Sequence, residues 1–225
     1  MTRTLTVIKV GGGASRDAAR LIAARSATGP VCVVHGGGPQ ITALMRERSV
    51  EPRFHEGRRI TDAATLDCVE QGLRLVSAEL CDALGELGVS TSAHPDGVVV
   101  AAAVADLGLV GAPVGAHTGG LEAELARGDV PVVSPLGRDA AGSLLNVNAD
   151  DAAAEIALRL RASELSFLTD VAGVLDESGS LIETLSAASP PAAASGGMLP
   201  KLAACARALA AGVETVRIGA TEVTA

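Results

Sequence analysis

Four side chains stand out in this sequence because their types are otherwise absent. Lys9 and Lys201 are the only lysines, and Asn146 and Asn148 are the only asparagines. The rest of the 18 basic residues are arginines. A chain that covers its surface with Arg uses Lys where a compact, strongly hydrated ammonium is wanted instead of a planar fork. All four lie in loop-like stretches beside Gly, Pro or Asp. We read them as marks of one site; the alternative is chance in a biased composition.

The stretches that carry them suggest the chemistry. VIKVGGGA (Val7 to Ala14) is a short apolar strand running through Lys9 into Gly11, Gly12 and Gly13. HGGGPQ repeats the glycine triplet at Gly36, Gly37 and Gly38, LNVNAD holds both asparagines and Asp150, and GGMLPK ends on Lys201. Glycine turns bring bare backbone N–H groups close to an anion. Each turn alone could equally serve only the chain's own geometry. Together with two lysines they describe a site for a polyanion such as the phosphates of ATP. They are not a Walker loop, since no Gly-Lys-Ser/Thr follows at the right spacing. They are not a dinucleotide fingerprint, since the third glycine is missing.

Other candidates have two readings each. Asp150 is the natural carboxylate to pair with the lysines, and it is also a good helix cap. Asp170 could bind a ribose or an ammonium group, or only turn the chain. Arg58 and Arg59 could clamp a substrate carboxylate, or form a solvated face. His35 reads as a hydrogen-bonded strand-end residue. His94 and His117 have no metal-ligand partner at a useful spacing, and the sequence offers no protein-built metal site.

The elements that must position these residues follow an α/β pattern. Strand–GGG–helix occurs twice in the first fifty residues, which predicts parallel strands with right-handed crossovers. Strands are expected at 4–10, 30–35, 109–111, 130–135, 165–168 and 213–218. Helices are expected at 16–25, from Pro39, from Thr61-Asp62 to about Gly85, at 118–126, from 142–151 to about 161, and from 196 to 211. Val50 to Arg59 reads as a hairpin or loop. Residues 88–104 read as a hairpin turning at Pro95-Asp96-Gly97. A second hairpin is expected at Val174-Leu175 and Leu181-Ile182. Ser186 to Ser195, rich in Pro, Ala and Ser, is expected to be a mobile loop. In a mostly parallel sheet the C-terminal strand ends share one edge, so the four motifs can meet there.

Composition narrows the function. At 225 residues, 48% of them hydrophobic, the chain can bury a sizeable core. With no Trp or Tyr, only Phe54 and Phe167, and a net charge of −8, base-stacking platforms and a nucleic-acid surface are not expected. Cys32, Cys68, Cys81 and Cys205 form no CxxC pair and read as buried thiols in a reducing cytosol. No apolar run suits a membrane span, and a cytoplasmic protein is expected.

The pieces VIKVGGGA, VVHGGGPQI, GRRITD, PVVSPLGRD, LLNVNADDAA, FLTDVAGVL and GGMLPKL, in that order, resemble the amino acid kinase family over most of the chain. The resemblance implies an open αβα three-layer sandwich with a mainly parallel sheet. Residues 1–162 would be an amino-acid-binding and dimerisation lobe and residues 163–225 an ATP lobe. It implies ATP-dependent phosphorylation of the side-chain carboxylate of N-acetyl-L-glutamate in arginine biosynthesis, with Mg²⁺ held through the nucleotide phosphates. N-acyl-2-aminoadipate, or a non-catalytic sensor, are the alternatives. By position, Lys9 and Lys201 would hold the transferring phosphoryl group and Asp150 would organise them. Gly11, Gly12, Gly37 and Gly38 would be backbone donors, and Arg59 and Asn146 the substrate clamp. Asp170, Val171, Gly173, Val174, Leu175, Gly197, Met198 and Leu199 would contact nucleotide. The chain departs from the pattern in stopping at IGATEVTA and in the 88–115 segment. A homodimer is implied, with Leu66, Val69, Leu73, Val76 and Leu80 as a possible pairing face. The N-terminal helix of arginine-sensitive members is not expected ahead of the first strand, and neither is inhibition by arginine.

Overall fold

Alternation along the first strand sets up the architecture. In β1 (Thr6–Val10), Val7 enters one core cluster and Ile8 and Val10 enter another. Successive strand residues point to opposite faces, so β1 is apolar on both sides and must be covered on both. Lys9 lies on the Val7 face. A computed structural model describes residues 4–11, 16–169, 172–189 and 198–225.

After β1 the chain forms α1 (Arg16–Ser26), β2 (Val31–His35), α2 (Gly38–Glu47), β3 (Phe54–His55), β4 (Arg58–Arg59) and α3 (Ala63–Glu86). Next come β5 (Thr91–His94), β6 (Val99–Ala103), β7 (Val110–Ala116), α4 (Gly119–Arg127), β8 (Val130–Val133), β9 (Leu136–Arg138) and β10 (Leu144–Val147). The chain closes with α5 (Ala149–Arg159), β11 (Glu164–Leu168), β12 (Thr184–Ser186), α6 (Met198–Ala210), β13 (Thr215–Ile218) and β14 (Thr221–Thr224).

Eight strands form one sheet in the order β12-β14-β13-β11-β1-β2-β8-β5. It is parallel from β13 through β5, and β14 runs antiparallel to β13. Helices α1 and α3 cover the Ile8 face, and α4, α5 and α6 cover the Val7 face. The result is the expected three-layer sandwich with a mainly parallel sheet. From β1 the chain moves outward to β2 and later returns to β1's other side as β11. The C-terminal end of β1 is therefore where the winding reverses, the place where open α/β sheets bind ligands.

Beside this sheet, β6, β7, β9 and β10 close into a small barrel. Its interior is too tight for side chains at two positions. A Cβ on Gly111 would lie 2.8 Å from the Ala101 Cβ, and one on Gly137 would lie 2.7 Å from the same atom.

Several sequence expectations need correction. The 88–104 segment is not a hairpin: β5 joins the main sheet parallel to β8, while β6 pairs with β7 and β9 in the barrel. The 142–151 stretch does not open directly as helix, since β10 precedes α5. The strand expected at 109–111 extends to Ala116. A further strand follows the last one expected: β14 lies between β13 and β12. The second hairpin is present as expected, in short form: Leu175 bridges Leu181 antiparallel and the Ile182 N–H donates to the Val174 carbonyl at 2.8 Å. The apolar face of α3 is used within the protomer, with Val69, Leu73, Val76 and Leu80 at most 1% exposed. Most of the proposed mobile loop, from Pro190 on, lies outside the described residues. Among the described residues no helix is long and apolar enough to cross a membrane. The four cysteines are free; Cys32, Cys68 and Cys205 are buried as expected, whereas Cys81 is only partly buried.

Candidate active site

The cap of α5 places the central carboxylates. Asn148 is the N-cap, its Oδ1 accepting from the backbone N–H of Asp150 at 2.8 Å and of Asp151 at 3.2 Å. Capping therefore falls to Asn148, which resolves the two readings of Asp150. The Asp150 side chain, 9% exposed, is free to bind elsewhere. It accepts from Lys9 Nζ at 2.9 Å, and from Lys201 Nζ at 3.1 Å to Oδ1 and 3.0 Å to Oδ2. Lys201 also sits over the ring of Phe167, 4.9 Å from its centroid. So the only two lysines of the chain meet on one carboxylate, between β1, α5 and α6.

The electrostatics follow from burial and charge count. Burial alone would raise the Asp150 carboxyl, but the charges of Lys9 and Lys201 outweigh it and hold the group below the usual aspartate value. Lys201 is shifted down, first by burial and further by the like charge of Lys9, against the opposing pull of Asp150. Two ammonium groups share one carboxylate, which leaves a net positive centre suited to an incoming anion.

A pocket of about 190 Å³ opens beside this centre, lined by Gly36, Gly37, Gly38, Arg58, Arg59, Asn146 and Ala149 among others. Gly37 is the N-cap residue of α2 and Gly38 its first residue, with Pro39 in the first turn. A helix N-terminus directed at a pocket favours an anionic ligand. Arg59 is 8% exposed and held by Thr42 Oγ1 at 3.0 Å, the Gly38 carbonyl at 3.4 Å and Met45 Sδ at 3.1 Å. Its guanidinium also lies over the Phe54 ring, 4.6 Å from the centroid. Burial lowers its pKa from the ordinary arginine value, yet an arginine keeps its charge in proteins. Asn146 donates from Nδ2 to Thr61 Oγ1 at 3.0 Å, and the Thr61 hydroxyl donates to the Arg59 carbonyl at 2.7 Å. This chain of bonds fixes the orientation of the amide.

The hairpin that presents Arg59 is built by its turn. Glu56 and Gly57 both have positive φ, at 47° and 77°, the two-residue turn whose twist suits a tight hairpin. Arg58 and Arg59 then point to opposite sides. Arg58 bonds Asp151 Oδ2 at 3.0 Å, and Arg207 of α6 reaches Asp151 Oδ1. The solvated-face reading of this arginine pair does not hold.

His35 is buried at the end of β2, its ring bonded to the Gly36 carbonyl at 3.0 Å and to Ser134 Oγ at 3.1 Å. Burial pushes its pKa down, and it is the hydrogen-bonded strand-end residue expected. Gly11 follows β1 and, with Leu168, Thr169 and Gly219, lines a second cavity of about 670 Å³. Gly173 is fixed by packing, since a Cβ there would lie 2.6 Å from both Thr221 Oγ1 and Leu181 Cδ1. Val174 is buried and its N–H donates to Thr221 Oγ1 at 2.8 Å. Leu175 and Leu199 are exposed, and Met198 packs against the core. Gly12, Asp170, Val171 and Gly197 lie outside the described residues.

The sequence profile described as "Amino acid kinase family" matches residues 4–220. The chain belongs to the amino acid kinase family. An acetylglutamate kinase of Desulforamulus reducens is 36% identical over 202 residues, covering 83% of this chain and 70% of that protein. A crystal structure of smu.665 from Streptococcus mutans superposes with a TM-score of 0.91 at 32% identity, covering 98% of both chains. N-acetylglutamate synthase from Neisseria gonorrhoeae, solved with coenzyme A and N-acetyl-glutamate, gives a TM-score of 0.86 at 26% identity and covers 97% of this chain but 54% of that one.

Sequence reasoning had not singled out Asp151, Arg207, Thr61 or Thr42 as site residues of this family member. One signal was available for Asp151. It forms an Asp-Asp doublet with Asp150 in the first turn of a helix, where anions are favoured and both carboxylates can reach outward.

Proposed function

We propose that this chain transfers the γ-phosphoryl group of ATP to the side-chain carboxylate of N-acetyl-L-glutamate. The products are N-acetyl-L-glutamyl 5-phosphate and ADP, a step of arginine biosynthesis. The observation that carries the reading is the meeting of Lys9 and Lys201 on Asp150, beside a pocket holding Arg59 and Asn146. The acetylglutamate kinases among its relatives support the choice of acid.

The attacking carboxylate is already a nucleophile, so no general base is required. An oxygen of the acid forms the new P–O bond as the bond to the ADP oxygen breaks. Positioning and charge neutralisation are what remain for the protein. Lys9 and Lys201 would neutralise the transferring group, with Asp150 keeping the two ammonium groups together before it arrives. Gly11, Gly12, Gly37 and Gly38 would give backbone N–H donors. Arg59 and Asn146 would form the substrate-carboxylate clamp. Residues 1–162 would bind the acid and residues 163–225 the nucleotide, with contacts from Asp170, Val171, Gly173, Val174, Leu175, Gly197, Met198 and Leu199.

Mg²⁺ would come with the nucleotide. Asp150 and Asp151 are each engaged by two cations, and Mg²⁺ commonly keeps its waters and binds through substrate phosphates. When bound, the ion would neutralise phosphate charge. Calorimetry should show no tight Mg²⁺ binding without nucleotide. We further propose a cytoplasmic homodimer, on the family resemblance; light scattering tests the dimer.

The deciding experiment is hydroxylamine trapping of the acyl phosphate. ATP with N-acetyl-L-glutamate should give a hydroxamate. N-acyl-2-aminoadipate, one methylene longer, should react more weakly, since a methylene is worth only about 1–3 kcal/mol of discrimination. No product from any acylated dicarboxylate would overturn the kinase reading in favour of a binding protein.

A further inference from the structure

We propose that Asp151 is a positioning residue that ties the hairpin carrying Arg59 to the helix carrying Lys201, so that acid and nucleotide strengthen each other's binding. The inference rests on the functional reading above. It concerns a group that reading leaves without a role.

The Asn148 cap leaves two acidic residues side by side in the first turn of α5. Successive helix residues are turned by about 100°, so the two carboxylates face different neighbours. Asp150 takes the lysines. Asp151, with its side chain 6% exposed, takes Arg58 from β4 and Arg207 from α6. The arginines are wetter, 31% and 52% exposed, so the buried member of the cluster is the carboxylate. A buried carboxylate holds its partners strongly, because losing them leaves its charge uncompensated.

What it holds is the substance of the proposal. The β3–β4 hairpin is two residues long on each strand and is too short to hold its place unaided. Arg59 anchors it on the pocket side, through Thr42 and Met45. Arg58 anchors it on the other side, through Asp151. The same carboxylate grips α6 through Arg207, six residues beyond Lys201. The hairpin also abuts α6 directly, since a Cβ on Gly57 would lie 3.1 Å from Pro200 Cγ. Ordering of the hairpin by the acid must therefore bias α6, and ordering of α6 by nucleotide must bias the hairpin by the same factor.

The test is a crosswise one. Arg207 does not line the acid pocket, yet Arg207→Gln should raise KM for N-acetylglutamate about fivefold, the lower end of usual site-to-site coupling. Arg58→Gln should raise KM for ATP similarly, with kcat changed less than KM in both. In Asp151→Asn, calorimetry should show each substrate binding without help from the other, whereas wild type shows mutual enhancement. If these variants lose thermal stability while the crosswise KM values stay at wild type, the role is structural and the inference is overturned. If wild type makes no acyl phosphate, the kinase reading fails separately. The tie is then decided without substrates: hydrogen–deuterium exchange should quicken in α6 of Arg58→Gln, and unchanged α6 exchange would refute it.

Discussion

Asp150 Oδ1 lies 2.9 Å from Lys9 Nζ and accepts from Lys201 Nζ at 3.1 Å, while Oδ2 accepts from Lys201 Nζ at 3.0 Å. One carboxylate oxygen is thus shared by both ammonium groups. Replacing either with Arg keeps the charge but substitutes a planar fork for a compact donor. We expect kcat to fall about 10²-fold or more in Lys9→Arg and Lys201→Arg, the scale for losing one donor to developing charge. KM should change less. Steady-state kinetics with circular dichroism as a folding control checks this, and near-normal turnover in Lys201→Arg would refute it.

Asp150→Asn should damage stability as well as activity. The helix keeps its cap, because Asn148 supplies it. The loss instead leaves two largely buried ammonium groups side by side. Removing one partner from a buried ionic cluster costs about 3–5 kcal/mol. Urea denaturation should show a loss of that order near neutral pH. A variant as stable as wild type would mean the lysines separate freely when their carboxylate is gone.

The pH dependence has a definite sign. Lys201 is shifted down by burial and then by Lys9, so in the folded protein it loses its proton below the ordinary lysine value near 10.5. Its folded state binds fewer protons than the unfolded chain between those two values, so its contribution to stability improves as pH rises through that window. Activity moves the other way: kcat should fall on the alkaline side as the Lys201 ammonium is lost. In Lys201→Arg the residual activity should persist to higher pH. Asp150 acts at the acid end. Its lowered pKa gives stability that is complete above the unfolded value near 3.8 and lost as pH falls through the folded one. A kcat–pH profile of wild type and Lys201→Arg tests the alkaline limb, and identical limbs would exclude Lys201 as its origin.

The chemistry was more legible in the sequence than the pairing. Lys9, Lys201 and Asp150 could be joined because scarce residue types sat at strand and helix ends that a parallel sheet gathers on one edge. Asp151 and Arg207 could not, because arginine is common here and nothing in the spacing links a helix head to α6 or to Arg58. The turn at Pro95-Asp96-Gly97 was visible, but a turn signal fixes local direction and not the partner strand. β5 and β6 therefore part company into different sheets. β14 was missed because TEVT offers one apolar core side chain, Val223, beside the buried Thr221, and its pairing comes from β12 and β13.

Two glycines of α3 should respond oppositely to the same change. Gly85 has no neighbour within 4 Å of an added Cβ, so Gly85→Ala should stabilise by about 0.5–1 kcal/mol through the chain entropy that glycine forfeits on folding. Gly72 is different. A Cβ there would lie 2.7 Å from Ile41 Cγ1 and 3.1 Å from the Ile41 backbone N and Cα. That backbone belongs to α2, whose N-terminus forms one wall of the Arg59 pocket. Rotation of the Ile41 side chain cannot relieve the backbone contact, so α2 must shift. Overpacking of this kind costs about 1–3 kcal/mol. Displacing α2 also moves Gly37, Gly38 and Thr42, the last of which holds Arg59. Gly72→Ala should therefore lower stability and raise KM for the acid, with a smaller effect on KM for ATP. Urea denaturation and steady-state kinetics on the two variants would check this pair. Equal stability, or an unchanged acid KM in Gly72→Ala, would show that α2 has slack between α3 and the pocket.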